Sequence, residues 1–382
     1  MQIPFHRPYI TEDEIGAVAD SMRKGWLTMG EKTIAFEKLF SEYLGAKNSV
    51  AVNSGTAALH LALCCIGLAP DEEVIVPATT FTATAEVVRY FGALPVMADI
   101  DRGTHLVSPD EIERKITPRT RAIIPVHYAG QPADMDEILA LARARGITVI
   151  EDAAHSLPAL YRGKAVGTLG DITCFSFYAT KTLCTGEGGM AATEDDGWAA
   201  KMRTLRLHGI SRDAWKRYTA AGTWKYDVEY AGFKYNMTDI NAAMGIAQLK
   251  KIDAMQSMRE KIAGMYDRAF GGLEELIPYN VREDRTCSWH LYPLKLNIEA
   301  LKIGRDEFIE ALKEKGVGTS VHFIPLYRFT YYRDLGFRRE DYPESEWVFE
   351  RSLSLPIFPG MTDGETDYVI ESVIDLVKKH RR

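Results

Sequence analysis

The sequence predicts an α/β fold: a mainly parallel central sheet with helices on both faces, followed by a smaller α+β unit. Three observations predict it. Short apolar runs alternate with helical patterns between residues 49 and 193, which implies parallel strands joined by crossover helices. Chemistry-bearing residues fall just after these runs, where ligands of such sheets bind. Past about residue 276 the elements become fewer and shorter.

Length and composition frame this. The chain has 382 residues, enough for two or three units at roughly 150 residues each. The expected division is 1–250, a large α/β unit with an N-terminal helical segment, and 251–382, a small α+β unit. A net charge of −7 leaves no broad basic field for a nucleic-acid backbone. Five cysteines at scattered positions show neither a disulfide framework nor a zinc pattern. A reduced, cytoplasmic setting is expected, with no membrane partner. The longest uncharged run, Ala51 to Pro70, reads as strand, turn and buried helix rather than a membrane span.

In chain order, residues 11–44 form two helices around Gly25-Trp26-Leu27-Thr28-Met29-Gly30. The first opens with a capping box, Thr11-Glu12-Asp13-Glu14. Strands are expected at 49–52, 73–77, 94–98, 121–126, 147–150, 172–177 and 190–193. Helices fit 56–67, 82–91 and 134–145. The polar and aromatic stretch 211–235 reads as a loop or hairpin excursion. A long helix follows from Thr238 to Phe270, with a bend near Lys251. The last part holds strands at 289–296 and 319–323 and helices at 305–315, 344–352 and 363–379.

Four features sit at the predicted strand ends. Lys181 ends an apolar run before a glycine-crowded turn. Burying an unpaired ammonium is unfavourable, yet desolvation favours the nucleophilic amine, so Lys181 suits a Schiff-base lysine for pyridoxal phosphate. Asn53-Ser54-Gly55-Thr56-Ala57 opens a helix, and Gly55, Thr56 and Ala57 could cradle a phosphate at its N-terminus. Ser176 would point at the same phosphate. Asp152 could keep a pyridinium nitrogen protonated, His155 could touch the ring's 3-oxygen, and Phe81 could stack on the ring. Each has an ordinary alternative: a solvated turn lysine, an N-cap aspartate, a satisfied histidine, a core phenylalanine. Their order at successive strand ends is what joins them into one site.

The chain resembles the DegT-type sugar aminotransferases. Gly25-Trp26-Leu27-Thr28, Ser54-Gly55-Thr56-Ala57, Pro125-Val126-His127-Tyr128-Ala129-Gly130, Glu151-Asp152-Ala153-Ala154-His155, Phe175-Ser176-Phe177 with Lys181, Gly186-Glu187-Gly188-Gly189, Lys234-Tyr235-Asn236 and Ser288-Trp289-His290-Leu291 carry the likeness. Within the family it is most similar to the branch forming UDP-4-amino-4-deoxy-L-arabinose for lipid A modification. The resemblance implies aminotransferase fold type I. It also implies a ping-pong exchange in which glutamate gives its amine, 2-oxoglutarate leaves, and a nucleotide-linked 4-keto sugar accepts. Lys181 would carry the proton. Asn236 would reach the phosphate of a neighbouring subunit, making a homodimer with shared active sites. Trp26, Thr28 and His322 would lie near the sugar nucleotide. Glu31 and Tyr327, where the branch has Pro and His, depart on the expected substrate side. The alternatives are a 3-keto or dTDP-linked sugar, or a non-catalytic regulator of the same fold.

Overall fold

A computed structural model describes residues 1–210 and 226–382. In chain order the first half runs α1 (Glu12–Arg23), α2 (Glu31–Leu44), β1 (Asn48–Val52), α3 (Gly55–Ile66), β2 (Glu73–Pro77), α4 (Ala83–Arg89), β3 (Leu94–Ala98), α5 (Pro109–Lys115), β4 (Thr120–Ile123), α6 (Met135–Arg143) and β5 (Thr148–Asp152). Then come β6 (Leu160–Tyr161), β7 (Lys164–Ala165), β8 (Ile172–Ser176), β9 (Gly189–Thr193), α7 (Asp196–Leu205), α8 (Asp239–Leu249) and α9 (Ile252–Phe270). The chain finishes with β10 (Leu276–Pro278), β11 (Tyr292–Leu296), α10 (Arg305–Glu314), α11 (Thr330–Asp334), α12 (Pro343–Arg351), β12 (Ser352–Leu355) and α13 (Asp363–His380).

Seven strands form the main sheet in the order β1-β9-β8-β5-β4-β2-β3. Only β9 runs against its neighbours, β1 and β8; the pairs among β8, β5, β4, β2 and β3 are parallel. β10, β11 and β12 make a separate antiparallel sheet. The mainly parallel sheet is thus as expected.

The uncharged run resolves into β1 and α3. Leu59, Leu61, Leu63 and Ile66 are buried around much of the α3 circumference, because the helix lies against β8, β9, α4 and α7. A helix apolar all round is a core helix, and each such side chain contributes about 1.5–3 kcal/mol through burial. Its 12 residues fall short of the roughly 20 that a span needs. Among the described residues no helix is long and apolar enough to cross a membrane.

The α1 capping box forms, with the Thr11 N–H donating to Glu14 at 2.7 Å. Asp239, at the start of α8, caps α2 from far along the chain. Its carboxylate accepts from the N–H groups of Gly30 (2.8 Å), Lys32 (3.1 Å) and Thr33 (3.0 Å). The expected bend near Lys251 is a full break between α8 and α9.

Three expectations need correction. Residues 319–323 form no strand: Ser320 makes one isolated bridge to Ser354, and the chain then turns toward the main sheet's loops. The strand expected from Trp289 starts only at Tyr292, since Trp289 has φ 49°, a left-handed backbone that a strand excludes. Helices α5 and α7 were not expected; α5 is short and mostly charged, and α7 buries only Ala199, Met202 and Leu205. Of the aromatic excursion, residues 211–225 lie outside the described residues. Beyond them Phe233 and Tyr235 stack at 5.0 Å, and the Tyr235 hydroxyl meets His60 Nδ1 at 3.0 Å.

Candidate active site

The site is built on strand ends. Gly189, the first residue of β9, pairs with Val52 at the end of β1 and Ser176 at the end of β8. This brings the Ser54–Thr56 turn beside Ser176 and the segment leading to Lys181. A Cβ on Gly189 would lie 2.4 Å from the Ser54 carbonyl and 2.7 Å from the Gly55 nitrogen. A Cβ on Gly55 would meet the Ser176 Cβ at 2.9 Å. Only glycine permits these approaches. Gly189→Ala is therefore expected to lower stability by about 1–3 kcal/mol and to displace the α3 start. Urea denaturation checks it, and an unchanged midpoint would show that the turn absorbs the methyl group.

Next in the sheet, β5 ends at Asp152. Side chains alternate across a strand, so Glu151 and Asp152 face opposite ways. Glu151 is fully buried and takes hydrogen bonds from Thr173 Oγ1 (2.6 Å) and the Gly170 N–H (2.7 Å). His127 Nδ1 accepts from the Ala133 N–H at 3.0 Å, so its Nε2–H donates to Glu151 at 2.8 Å. Asp152 instead lines a cavity. Burial pushes its carboxyl up, while donors Thr84 Oγ1 (2.8 Å) and the Ala154 N–H (3.2 Å) pull it back.

The cavity measures about 440 Å³. It gathers Gly55, Thr56, Phe81, Asp152, His155, Ser176, Lys181 and His322, eight of the residues singled out in the sequence. Burial lowers the Lys181 ammonium to about 8. Phe81 stands 59% exposed at the rim, 6.0 Å from the Phe323 ring. His322 accepts or donates at Ser354 Oγ (2.9 Å), and burial lowers its imidazolium to about 4. Burial also keeps His155 well below the usual imidazole range.

Four singled-out residues are absent from this lining among the described residues. The Ala57 N–H donates to the Ser54 side chain at 3.0 Å, as an N-capped helix requires. Trp26 folds back on its own turn, its Nε1–H donating to Met29 O at 3.1 Å. Thr28 is exposed. Asn236 is buried beside the end of β1, bridged to Val52. Tyr327 is also elsewhere, contrary to its expected place on the substrate side. It is buried, stacks on Tyr342 at 5.0 Å and donates to Glu346 at 2.9 Å. Glu31 is an exposed residue at the start of α2.

Sequence reasoning missed several walls. His290 packs on His155 with ring centres 4.3 Å apart, and Phe323 stacks on His155 at 5.8 Å. Phe5 stacks on His322 at 5.4 Å, and His6 Nε2 meets the Ala179 carbonyl at 3.2 Å. Thr80 and Thr84 flank Asp152. Only His290 carried a signal, inside the Ser288–Leu291 motif, and no spacing assigned it a role.

The donor set fits pyridoxal phosphate. At one end the α3 N-terminus and the Thr56 and Ser176 hydroxyls suit a phosphate dianion. At the other a buried carboxylate suits a protonated ring nitrogen, and Lys181 follows β8, which lies between β1 and β5 in the sheet.

Comparison with known proteins agrees. The DegT/DnrJ/EryC1/StrS aminotransferase family model matches residues 8–374. The chain is 47% identical over 378 residues to the spore coat polysaccharide biosynthesis protein SpsC of Bacillus subtilis, covering 98% of this chain and 97% of that protein. It superposes on the PLP form of Spr1654 from Streptococcus pneumoniae with a TM-score of 0.92 and 35% identity, over 99% of each chain. Helicobacter pylori PseC, an aminotransferase involved in the biosynthesis of pseudoaminic acid, gives a TM-score of 0.93 at 26% identity, over 99% of this chain and 100% of that one. With sequence, fold and site in agreement, the chain belongs to the DegT/DnrJ/EryC1/StrS aminotransferase family, and it is a transaminase whose cofactor is pyridoxal phosphate.

Proposed function

We propose that the enzyme moves an amino group from glutamate to a nucleotide-linked 4-keto sugar, a UDP-4-keto pentose or a related 4-keto-6-deoxyhexose, for an envelope or coat polysaccharide or for lipid A. The observation that carries the reading is a single cavity holding Lys181, Asp152 and the α3 start together. SpsC and PseC, both named for biosynthesis of surface or acidic sugars, support the acceptor class.

When bound, pyridoxal phosphate supplies an electron sink for the charge left as a proton departs from the amine-bearing carbon. The remaining work falls to the chain. Gly55, Thr56 and Ser176 would hold the phosphate through N–H and hydroxyl donors. Asp152, kept anionic, would hold the proton on the ring nitrogen. Phe81 would cover one ring face, and His155 would contact the 3-oxygen. Lys181 would carry the covalent attachment and move the proton, as base and then as acid. His290 and His322, held neutral by burial, offer hydrogen bonds to a polar sugar. In this reading residues 1–250 hold the cofactor and residues 251–382 supply His290 and His322. Asn236 acts across a homodimer, on the neighbouring copy's site, Trp26 and Thr28 lie near the sugar nucleotide, and the enzyme works in the cytoplasm.

The test is spectroscopic. Glutamate should bleach the absorbance band of the bound cofactor, and one 4-keto nucleotide sugar from a panel should restore it. Restoration by 2-oxo acids alone, with every sugar inert, would overturn the acceptor assignment.

A further inference from the structure

A chain of hydroxyls runs from the cavity wall into the core behind Asp152. Thr84, in the first turn of α4, is fully buried, and its Oγ1 lies 2.8 Å from Asp152 Oδ2. Thr80 Oγ1 lies 2.8 Å from Thr84 Oγ1, and Thr80 lines the cavity. Thr84 lies at the start of α4, and its hydroxyl reaches across to β5.

The donor order follows from the chemistry. An ionised carboxylate only accepts. Thr84 must therefore donate to Asp152, and Thr80 must donate to Thr84. A hydroxyl bond to the charged carboxylate is stronger than one to its neutral form, so the chain favours the anion. The backbone of Asp152 is held separately, by its N–H to Pro125 O (2.9 Å) and by the His127 N–H to its carbonyl (3.1 Å), so the threonines act on the carboxylate alone.

We propose that Thr84, oriented by Thr80, is a positioning residue that keeps Asp152 ionised and aimed at the cofactor's ring nitrogen. The proposal rests on the reading of Asp152 given above. Burial opposes the anion, and few groups offset it. Lys181 faces Asp152 across the cavity as a potential cation, His127 is bonded to Glu151 on the other face of β5, and Cys174, on the adjacent β8, is a buried thiol that burial keeps protonated. Thr84 and the Ala154 N–H are the donors on the carboxylate itself. Valine at 84 would keep the shape and remove the donor. Threonine's branched side chain has few χ1 rotamers, and the bond from Thr80 Oγ1 fixes the hydroxyl further.

The experiment compares Thr84→Val, Thr84→Ser and Asp152→Asn with the parent. Apoenzyme is titrated with pyridoxal phosphate, and the dissociation constant is read from quenching of tryptophan fluorescence. The acid limb of the transamination pH profile is read separately. A hydrogen bond to a charged group is lost in Thr84→Val, so the dissociation constant should rise about tenfold. The acid limb should move about one pH unit upward, because loss of a donor to the anion raises the carboxyl's pKa. Thr84→Ser should restore both. Thr84→Val matching the parent in both readouts would overturn the proposal. So would equal impairment of the Val and Ser variants, which would mark Thr84 as a packing residue. If Asp152→Asn itself leaves affinity and profile unchanged, the fault lies with the reading of Asp152, and the proposal falls with it.

Discussion

Lys181→Ala is expected to slow transamination by about 10⁴-fold or more. A positioned general acid–base alone contributes about 10²–10⁴-fold, and in the proposed mechanism this lysine is also the covalent anchor. The measurement is single-turnover loss of the cofactor band after adding glutamate. The loss should be recovered in part by a small added amine, which replaces the missing base and leaves the rest of the site intact. The pH dependence has a definite sign. Burial lowers the Lys181 ammonium from its ordinary 10.5 to about 8, so the free amine is the minor form below that value. The proton-transfer step should speed up as pH rises through about 8 and then level off. In Lys181→Ala that limb should vanish. A variant that stays within tenfold of the parent would sink the assignment.

The parallel sheet was legible because its strands are nearly all apolar and are punctuated by small or helix-starting residues. Val74-Ile75-Val76 and Val149-Ile150 are buried on both faces, so no alternation was needed to find them. What escaped notice lacked such a pattern. Helix α5 (Pro109–Lys115) buries only Ile112, and its charged residues read as loop. The capping of α2 by Asp239 joins residues about 200 apart and leaves no local signal. The false strand at 319–323 has a β-like composition, yet His322 and Phe323 turn their rings to the cavity instead of joining a ladder.

The site was legible in proportion to its dependence on strand ends. Gly55, Thr56, Asp152, Ser176 and Lys181 each follow an apolar run, and the sheet order brings those ends together. His6, His290 and Phe323 come from the two ends of the chain, whose approach to the cavity no sequence spacing encodes. Thr84 was hidden for another reason. Its sequence context is an ordinary helix start, and its role exists only through contact with Asp152. The misplaced Tyr327 shows the same limit from the other side. A position matched to a family pattern carries no guarantee of its surroundings, and here the ring lies in the core against Tyr342.

Asp152→Asn separates function from stability. The amide has the shape of the carboxylate and lacks its charge. Breaking a buried ion pair by neutralising one partner costs about 3–5 kcal/mol, so kcat/KM should fall by about 10²–10⁴-fold in both half-reactions. Apoenzyme stability should move the other way. Burial raises the Asp152 carboxyl above its ordinary 3.8 in the folded chain, so between those two values the folded state binds more protons than the unfolded state. Stability must then fall as pH rises through that window, and at neutral pH the parent carries an unfavourable buried anion. The asparagine variant should lose this component and unfold at equal or higher urea concentration. A slow enzyme with an unweakened fold is the signature of a group retained for its chemistry. A variant that is slow because it is unfolded would instead make Asp152 a structural residue and remove the ring-nitrogen partner from the mechanism.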